Sequence, residues 1–224
     1  REQSSYDVTA NFGYEFGDTS SARLNTLFSQ NDNPTEVDRS ITDFTVTPNT
    51  LKVQKENIPG RQHNWEIGGD YEKFFGNNSR FKMLFVLNQD NRSSTRERFD
   101  ISSEDADDKN LFLKSGSRTS EEILRGSYTF DIFEDQDIEI GGERALTTLE
   151  SKLALGVPIS DGDPSAALGG LVSVPVSNAN STVEELRYEP FIIHNWAINS
   201  RMSLESHLLY EYSEIEQWGD VRNK

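Results

Sequence analysis

The sequence predicts an all-β protein, an antiparallel up-and-down meander of about eight strands that forms part of a transmembrane β-barrel. Three observations predict it. Apolar and polar residues alternate with period two over unusually long runs. Short and long connections alternate between those runs. The chain is also poor in apolar residues, at 34% of its 224 positions.

The first run, Ser5 to Phe16, sets the pattern. Tyr6, Val8, Ala10, Phe12, Tyr14 and Phe16 fall on one side, and Asp7, Thr9, Asn11, Gly13 and Glu15 on the other. A period near 3.6 would scatter both sets around a helix, so this run is a strand. Seven further runs follow at 22–29, 63–74, 80–89, 122–133, 137–144, 184–197 and 202–212. In the run from Arg80, Phe81, Met83, Phe85 and Leu87 oppose Arg80, Lys82 and Asn88. Leu124, Tyr128, Phe130 and Ile132 oppose Arg125, Ser127, Thr129 and Asp131. Leu204, Leu208, Tyr210 and Tyr212 oppose Glu205, His207 and Glu211. Runs of this length exceed the usual ~5–6 residues of a globular strand and suit the ~9–11 of a tilted bilayer-crossing one. Pro190 interrupts the seventh run, because it removes a ladder donor; it marks either a bulge or an edge strand.

Four connections are tight: 17–20, 76–79, 134–136 and 198–201, each with the Gly, Asn or Asp residues that close hairpins. Three are long and polar, at about 30–62, 90–121 and 145–183. Residues 1–224 thus read as a single β-barrel segment with tight turns at one rim and long loops at the other, the asymmetry of outer-membrane barrels. A soluble sandwich has no reason to sort its loops by length.

Composition narrows the function classes. Counting glycine and omitting tyrosine raises the apolar share to about 38%, still under the ~45–50% of soluble domains. A barrel with lipid outside and a polar lumen inside accounts for the shortfall. The net charge of -16 opposes nucleic-acid binding, which needs a basic surface. The absence of cysteine excludes disulfides, thiol catalysis and thiolate metal sites. No run approaches the ~20 apolar residues of a membrane-spanning helix.

Alternation assigns Asp7, Glu15, Arg80, Lys82, Arg125, Glu205 and His207 to the lumen. The aromatic residues Tyr14, Phe16, Phe81, Tyr128, Phe130, Trp196 and Tyr210 face lipid. One aromatic group lies beside the tight turns and a second, Tyr6, Trp65, Tyr210 and Tyr212, nearer the long loops, as two interfacial girdles would. The charged lumen reads as an electrostatic wall that attracts cations or holds a plug domain, or simply as a wetted interior. The acidic run Asp100 to Asp108 lacks the spacing of a calcium loop and reads as a solvated tip. Arg92, Arg96 and Arg98 precede it and meet either lipopolysaccharide phosphates or neighbouring acids. His63, His194 and His207 show no metal spacing; His207 with Glu205 and Glu211 is the single acid–base grouping in the pattern. The sequence predicts no catalytic, cofactor-binding or metal-ligating residues, and no enzyme.

The stretches His63-Asn64-Trp65-Glu66-Ile67-Gly68-Gly69-Asp70-Tyr71-Glu72, Glu122-Ile123-Leu124-Arg125-Gly126-Ser127-Tyr128 and Glu185-Leu186-Arg187-Tyr188-Glu189, with the hairpin partners that follow each, resemble mid-barrel hairpins of TonB-dependent outer-membrane receptors. More than half of the chain carries this resemblance. It implies a segment of a larger barrel wall in the bacterial outer membrane, contacting lipid, its own plug domain and an energy-coupling protein. The implied function is uptake of a scarce nutrient such as a siderophore, vitamin or glycan. No plug domain, energy-coupling box or terminal aromatic strand lies within the sequence. Two rival readings stand beside it: a complete eight-stranded barrel serving as adhesin or anchor, and a soluble β-sandwich binding module.

Overall fold

In a computed structural model the chain is described over residues 2–76, 78–101 and 107–219. Its strands are β1 (Ser4–Glu15), β2 (Ser20–Asp32), β3 (Thr35–Asp43), β4 (Thr50–Ile58), β5 (Gly60–Phe74), β6 (Arg80–Ile101) and β7 (Asp107–Phe133). There follow β8 (Gln136–Val157), β9 (Pro164–Ser165), β10 (Leu171–Val174), β11 (Ser181–Asn199), β12 (Met202–Leu209) and β13 (Tyr212–Gly219). The wall is an antiparallel meander, β1-β2-β5-β6-β7-β8-β11, and ends in β12 and β13 lying end to end along β11. These are the eight strands of the periodic pattern, in sequence order and without a crossover. Each long strand pairs with its neighbour because a period-two sequence can bury or expose a whole face only as a strand.

The tight turns line up along one rim. Phe16 N donates to Ser20 O at 2.7 Å and Phe75 N to Ser79 O at 2.8 Å, each closing its own turn. Phe74 N also donates to Thr19 O at 2.8 Å, and Ala197 N to Asp135 O at 2.9 Å, so adjacent turns are tied together. Gly17 (φ 68°) and Asp135 (φ 59°) adopt the left-handed conformation these turns require.

At the other rim the strands run further than the sequence predicts. The expected loop 90–121 is mostly strand, since β6 continues to Ile101 and β7 begins at Asp107. The expected loop 30–62 holds the β3–β4 hairpin, which pairs with the end of β6. The third, 145–183, holds the end of β8 and a small β9–β10 insert anchored by buried Leu168 and Leu171 against Phe112 of β7. The β6 extension and most of the β7 extension are polar on both faces and carry little hydrophobic period, whereas the end of β8 does alternate, with Leu149, Leu153, Leu155 and Val157 on one face. Between β6 and β7, cross-strand polar pairs take the place of that period: Arg98 Nε donates to Asn110 Oδ1 at 2.6 Å, and Lys109 meets Glu97 at 2.6 Å. Most of the acidic run at this tip, residues 102–106, lies outside the described residues.

Pro190 lies within β11, neither at a bulge nor on an edge strand, opposite Gly142 of β8. Its carbonyl accepts from Tyr210 N at 3.1 Å, so its missing donor faces the last strand. In an antiparallel pair both groups of a residue address the same neighbour, and Pro190 returns only one of two bonds. The last strand breaks there, β12 ending at Leu209 and β13 starting at Tyr212.

The sheet is a single open layer. Among the described residues, β1 pairs only with β2, and β12 and β13 only with β11. Accessible surface is 15428 Å². A compact monomer of this mass would show about 10,300 Å². The excess is sheet face, and Phe12 and Leu208 are 64% and 69% exposed.

The register also gives the strand tilt. Direct partners run Tyr14, Ala22, Tyr71, Met83, Gly126, Gly142, Pro190 across the sheet. Tyr14 lies one residue from the end of β1, whereas Pro190 lies nine from the end of β11. That is a stagger of eight residues over six strand steps; counted from β2 to β12 it is six over six. With ~3.3 Å per residue and ~4.8 Å between strands, a level rim requires a tilt of about 35–43°. Barrel walls tilt by about 35–45°.

Gly69 and Gly141 admit the Phe85 and Phe191 rings into the ladder. A Cβ on Gly141 would lie 2.5 Å from the Phe191 ring and 2.6 Å from Gly126 O, whereas one on Gly126 meets nothing within 4 Å. Gly141→Ala should therefore lower unfolding stability by about 1–3 kcal/mol through overpacking. Gly126→Ala should stay within about 0.5 kcal/mol of the parent. Equal denaturation midpoints for both variants would contradict the packing of Phe191 onto Gly141.

Candidate functional site

The functional surface is the sheet itself, one face apolar and the other charged. Directly opposed residues share a face, so the register sorts every side chain. Counting up from the short-turn rim, each long strand shows apolar residues on the first face and then switches. The switch comes at Gln30 on β2, His63 on β5, Gln89 on β6 and Glu122 on β7. It comes at Thr148 on β8, Glu184 on β11 and Glu214 on β13. The apolar stretch is thus about 9–12 residues on most strands, which at a 40° tilt is a band about 23–30 Å tall. Outer-membrane barrels carry an apolar band about 25 Å tall.

Aromatic rings gather at both margins of the band. Near the turns, Tyr14 meets Phe16 at 4.7 Å, Phe75 meets Tyr128 at 6.1 Å and Tyr128 meets Phe130 at 5.9 Å. Phe81 opposes Tyr128, and Trp196 lies three residues from the end of β11. At the upper margin Tyr6 packs on Phe28 at 6.0 Å, with Trp65 directly opposite Phe28. Tyr210 and Tyr212 hold the same margin beside Pro190 and Tyr188.

The opposite face carries a chain of ion pairs across the wall. Arg23 reaches Asp70 at 3.0 Å and Arg80 reaches Glu72 at 3.4 Å. Glu143 lies between Arg125 at 3.7 Å and Arg187 at 3.6 Å, and Arg187 also meets Glu189 at 2.7 Å. The Arg125 guanidinium sits 4.5 Å over the Phe191 ring, the ring that covers Gly141. A shallow cavity of about 260 Å³ opens among Arg23, Asp70, Lys82, Arg125, Ser127 and Glu139.

The seven charged candidates all stand on this face by register: Asp7 and Glu15 on β1, Arg80 and Lys82 on β6, Arg125 on β7, and Glu205 and His207 on β12. They do not converge on one point. Lys82 and Arg125 share the cavity, while Asp7 and Glu15 line one edge of the sheet and Glu205 and His207 the other. His63, His194 and His207 lie on three strands; His194 and His207 are on opposite faces, since Ile193 is the partner of His207. Among the described residues no group of three or more His, Cys, Asp or Glu is placed to hold a metal.

Sequence reasoning missed a polar cluster at the far rim. Glu56 of β4 has a fully buried side chain and pairs with Arg39 at 3.1 Å and Arg96 at 2.6 Å. Asp100 pairs with Lys52 at 2.9 Å and accepts from Gln54 at 2.8 Å. Arg92 meets Asp90 at 2.9 Å. Arg92, Arg96 and Arg98 thus engage acids and an amide of the sheet rather than standing free. Only the hairpin pairing brings Glu56 to Arg96, so no local spacing signals it. Burial raises the Asp100 pKa, but Lys52, Asn110 and Gln54 together outweigh it and hold the carboxyl below its usual value. Asp43 is held low by the Thr45 hydroxyl and then the Thr45 amide.

No family model matches the chain, and no curated protein is significantly similar to it.

The Asp100 contacts carry a pH dependence of definite sign. A carboxyl with a lowered folded pKa stabilises above its unfolded value, about 3.9, and that stability is lost as pH falls through the lower folded value. Amide exchange in β4 should therefore accelerate below pH ~4 relative to β5. Asp100→Asn should raise it already at neutral pH. An unchanged β4 exchange rate in both cases would contradict the Lys52–Asp100–Gln54 contact.

Proposed function

We propose that this sheet is a stretch of the wall of a TonB-dependent outer-membrane receptor, which takes up a scarce nutrient such as a siderophore, vitamin or glycan. One observation carries the reading: a tilted meander with a mainly apolar band on one face and a chain of ion pairs on the other. Lipid contacts the band, with Tyr14, Phe16, Phe81, Tyr128, Phe130, Trp196 and Tyr210 in its margins. The lumen lies on the charged side, where Asp7, Glu15, Arg80, Lys82, Arg125, Glu205 and His207 line water or a plug domain. The long polar rim, with the β3–β4 hairpin and the β9–β10 insert, stands outside the cell and selects the ligand, since recognition concentrates on loops held by a rigid scaffold. A complete eight-stranded barrel would join β1 to β12 and β13. The open edges favour a larger wall in which further strands continue the ladder.

Tryptophan depth tests the membrane part. Single-tryptophan versions of the full-length protein, in liposomes of brominated phosphatidylcholine, should show strong quenching of Trp65 and Trp196 at the two band margins. Trp218 lies sixteen residues above the start of β12 and should escape it. Quenching of Trp218 equal to that of Trp65 would reject the band. Transport tests the receptor part. Cells carrying the full-length protein should take up one of labelled ferric siderophore, cobalamin or oligosaccharide while the proton-motive force is intact. Replacing residues 159–179 by a short turn should abolish that uptake while the barrel still assembles. Absence of energy-dependent uptake of all three would end the receptor reading.

A further inference from the structure

Within its band the apolar face carries His194, opposite Ser206 and bonded to Gln136, and one arginine. Arg144 of β8 stands on that face, directly between Leu124 of β7 and Tyr188 of β11. It lies eight residues above the start of β8, with Leu146 beyond it, and so falls inside the band. Among the described residues no ion pair or hydrogen bond holds its guanidinium, in contrast to Arg125 and Arg187 on the other face. The nearest acid on its own face, Glu122, is the partner of Leu146, one row away, and makes no ion pair with it. Glu143 points to the charged face.

Immediately below Arg144 the wall is hollow. Gly126 and Gly142 oppose each other and Pro190 follows, so three adjacent strands present almost no side chain. The result is a groove of about 540 Å³ between Phe81, Met83, Leu124 and Tyr188, with Arg144 at its lip. An arginine on the lipid face is costly at the midplane and tolerated near the interface. At eight residues and a 40° tilt, Arg144 is about 20 Å above the short-turn rim, and its long side chain reaches the upper interface. An unpaired fork of donors at headgroup level, above an apolar groove, matches an amphiphile with an anionic head.

We propose that Gly126, Gly142, Pro190 and Arg144 form a binding site for one phosphate-bearing lipid. An acyl chain lies in the glycine–proline groove and the phosphate accepts hydrogen bonds from Arg144. This rests on the reading of the apolar face as lipid-facing.

Native mass spectrometry of the full-length protein in non-ionic detergent, titrated with phosphatidylglycerol or phosphatidylcholine, tests it. The parent should retain one phosphatidylglycerol in preference to phosphatidylcholine. Arg144→Gln should weaken that retention about tenfold or more, the effect of losing a charge-assisted contact. Arg144→Lys should restore part of it, and Gly126→Leu should block it by filling the groove while Arg144 stays. Equal retention by the parent and Arg144→Gln overturns the site, as does retention of phosphatidylcholine at the same level. Competition by equimolar inorganic phosphate overturns the lipid assignment in favour of a free-anion site. Quenching of Trp65 and Trp196 on the same preparations keeps the two readings apart: intact quenching without lipid preference rejects this site alone, and lost quenching rejects the membrane reading with it.

Discussion

The main-chain ladder is what the rest of this structure depends on. In a compact domain, burial of apolar area dominates folding and hydrogen bonds refine it. Here the described residues hold one small cluster of buried apolar side chains, at the far rim, and the wall itself has no core. Ladders of up to 27 residues therefore define the architecture, and side chains act by agreeing with it. Pro190 shows how strict the dependence is. Removing a single donor from β11 divides the neighbouring strand into β12 and β13.

Such a sheet has two faces to satisfy and two edges to hide. In hydrocarbon an unpaired backbone group costs several kcal/mol, so a spanning wall admits no free edge. Among the described residues β1 and the β12–β13 line each pair on one side only, and both are exposed along their length. In the membrane reading those edges are where the ladder continues. The stagger of the turns agrees with this, because a tilt of about 35–43° lets a twisted sheet close around a lumen.

The charged face works through distribution. Its pairs are half-exposed, with Arg23 and Arg125 at 60% and 45%, so each pair contributes no more than about 1 kcal/mol. Their value lies in satisfying a wet wall and keeping its arginines oriented. Arg125 illustrates this, held between Glu143 and the Phe191 ring, which in turn needs the bare backbone of Gly141. At the far rim Glu56 takes the opposite course, a carboxylate out of water that fixes a hairpin through two arginines.

The sequence by itself determined the all-β antiparallel meander, the order of its long wall strands, the tight turns and the division of their side chains between two faces. Period-two alternation is a local property, and Tyr14 or Lys82 is assigned to a face by its immediate neighbours alone. It did not show the far ends of β6 and β7, which are largely polar and carry little period, the end of β8, or the β3–β4 hairpin, all read as loop. The tertiary structure alone decided which residues meet across strands: Glu56 with Arg96, Phe191 over Gly141, and Gly126 beside Gly142 and Pro190 beneath Arg144. Those meetings depend on register, and register is fixed by the pairing of residues tens of positions apart, which no local spacing encodes.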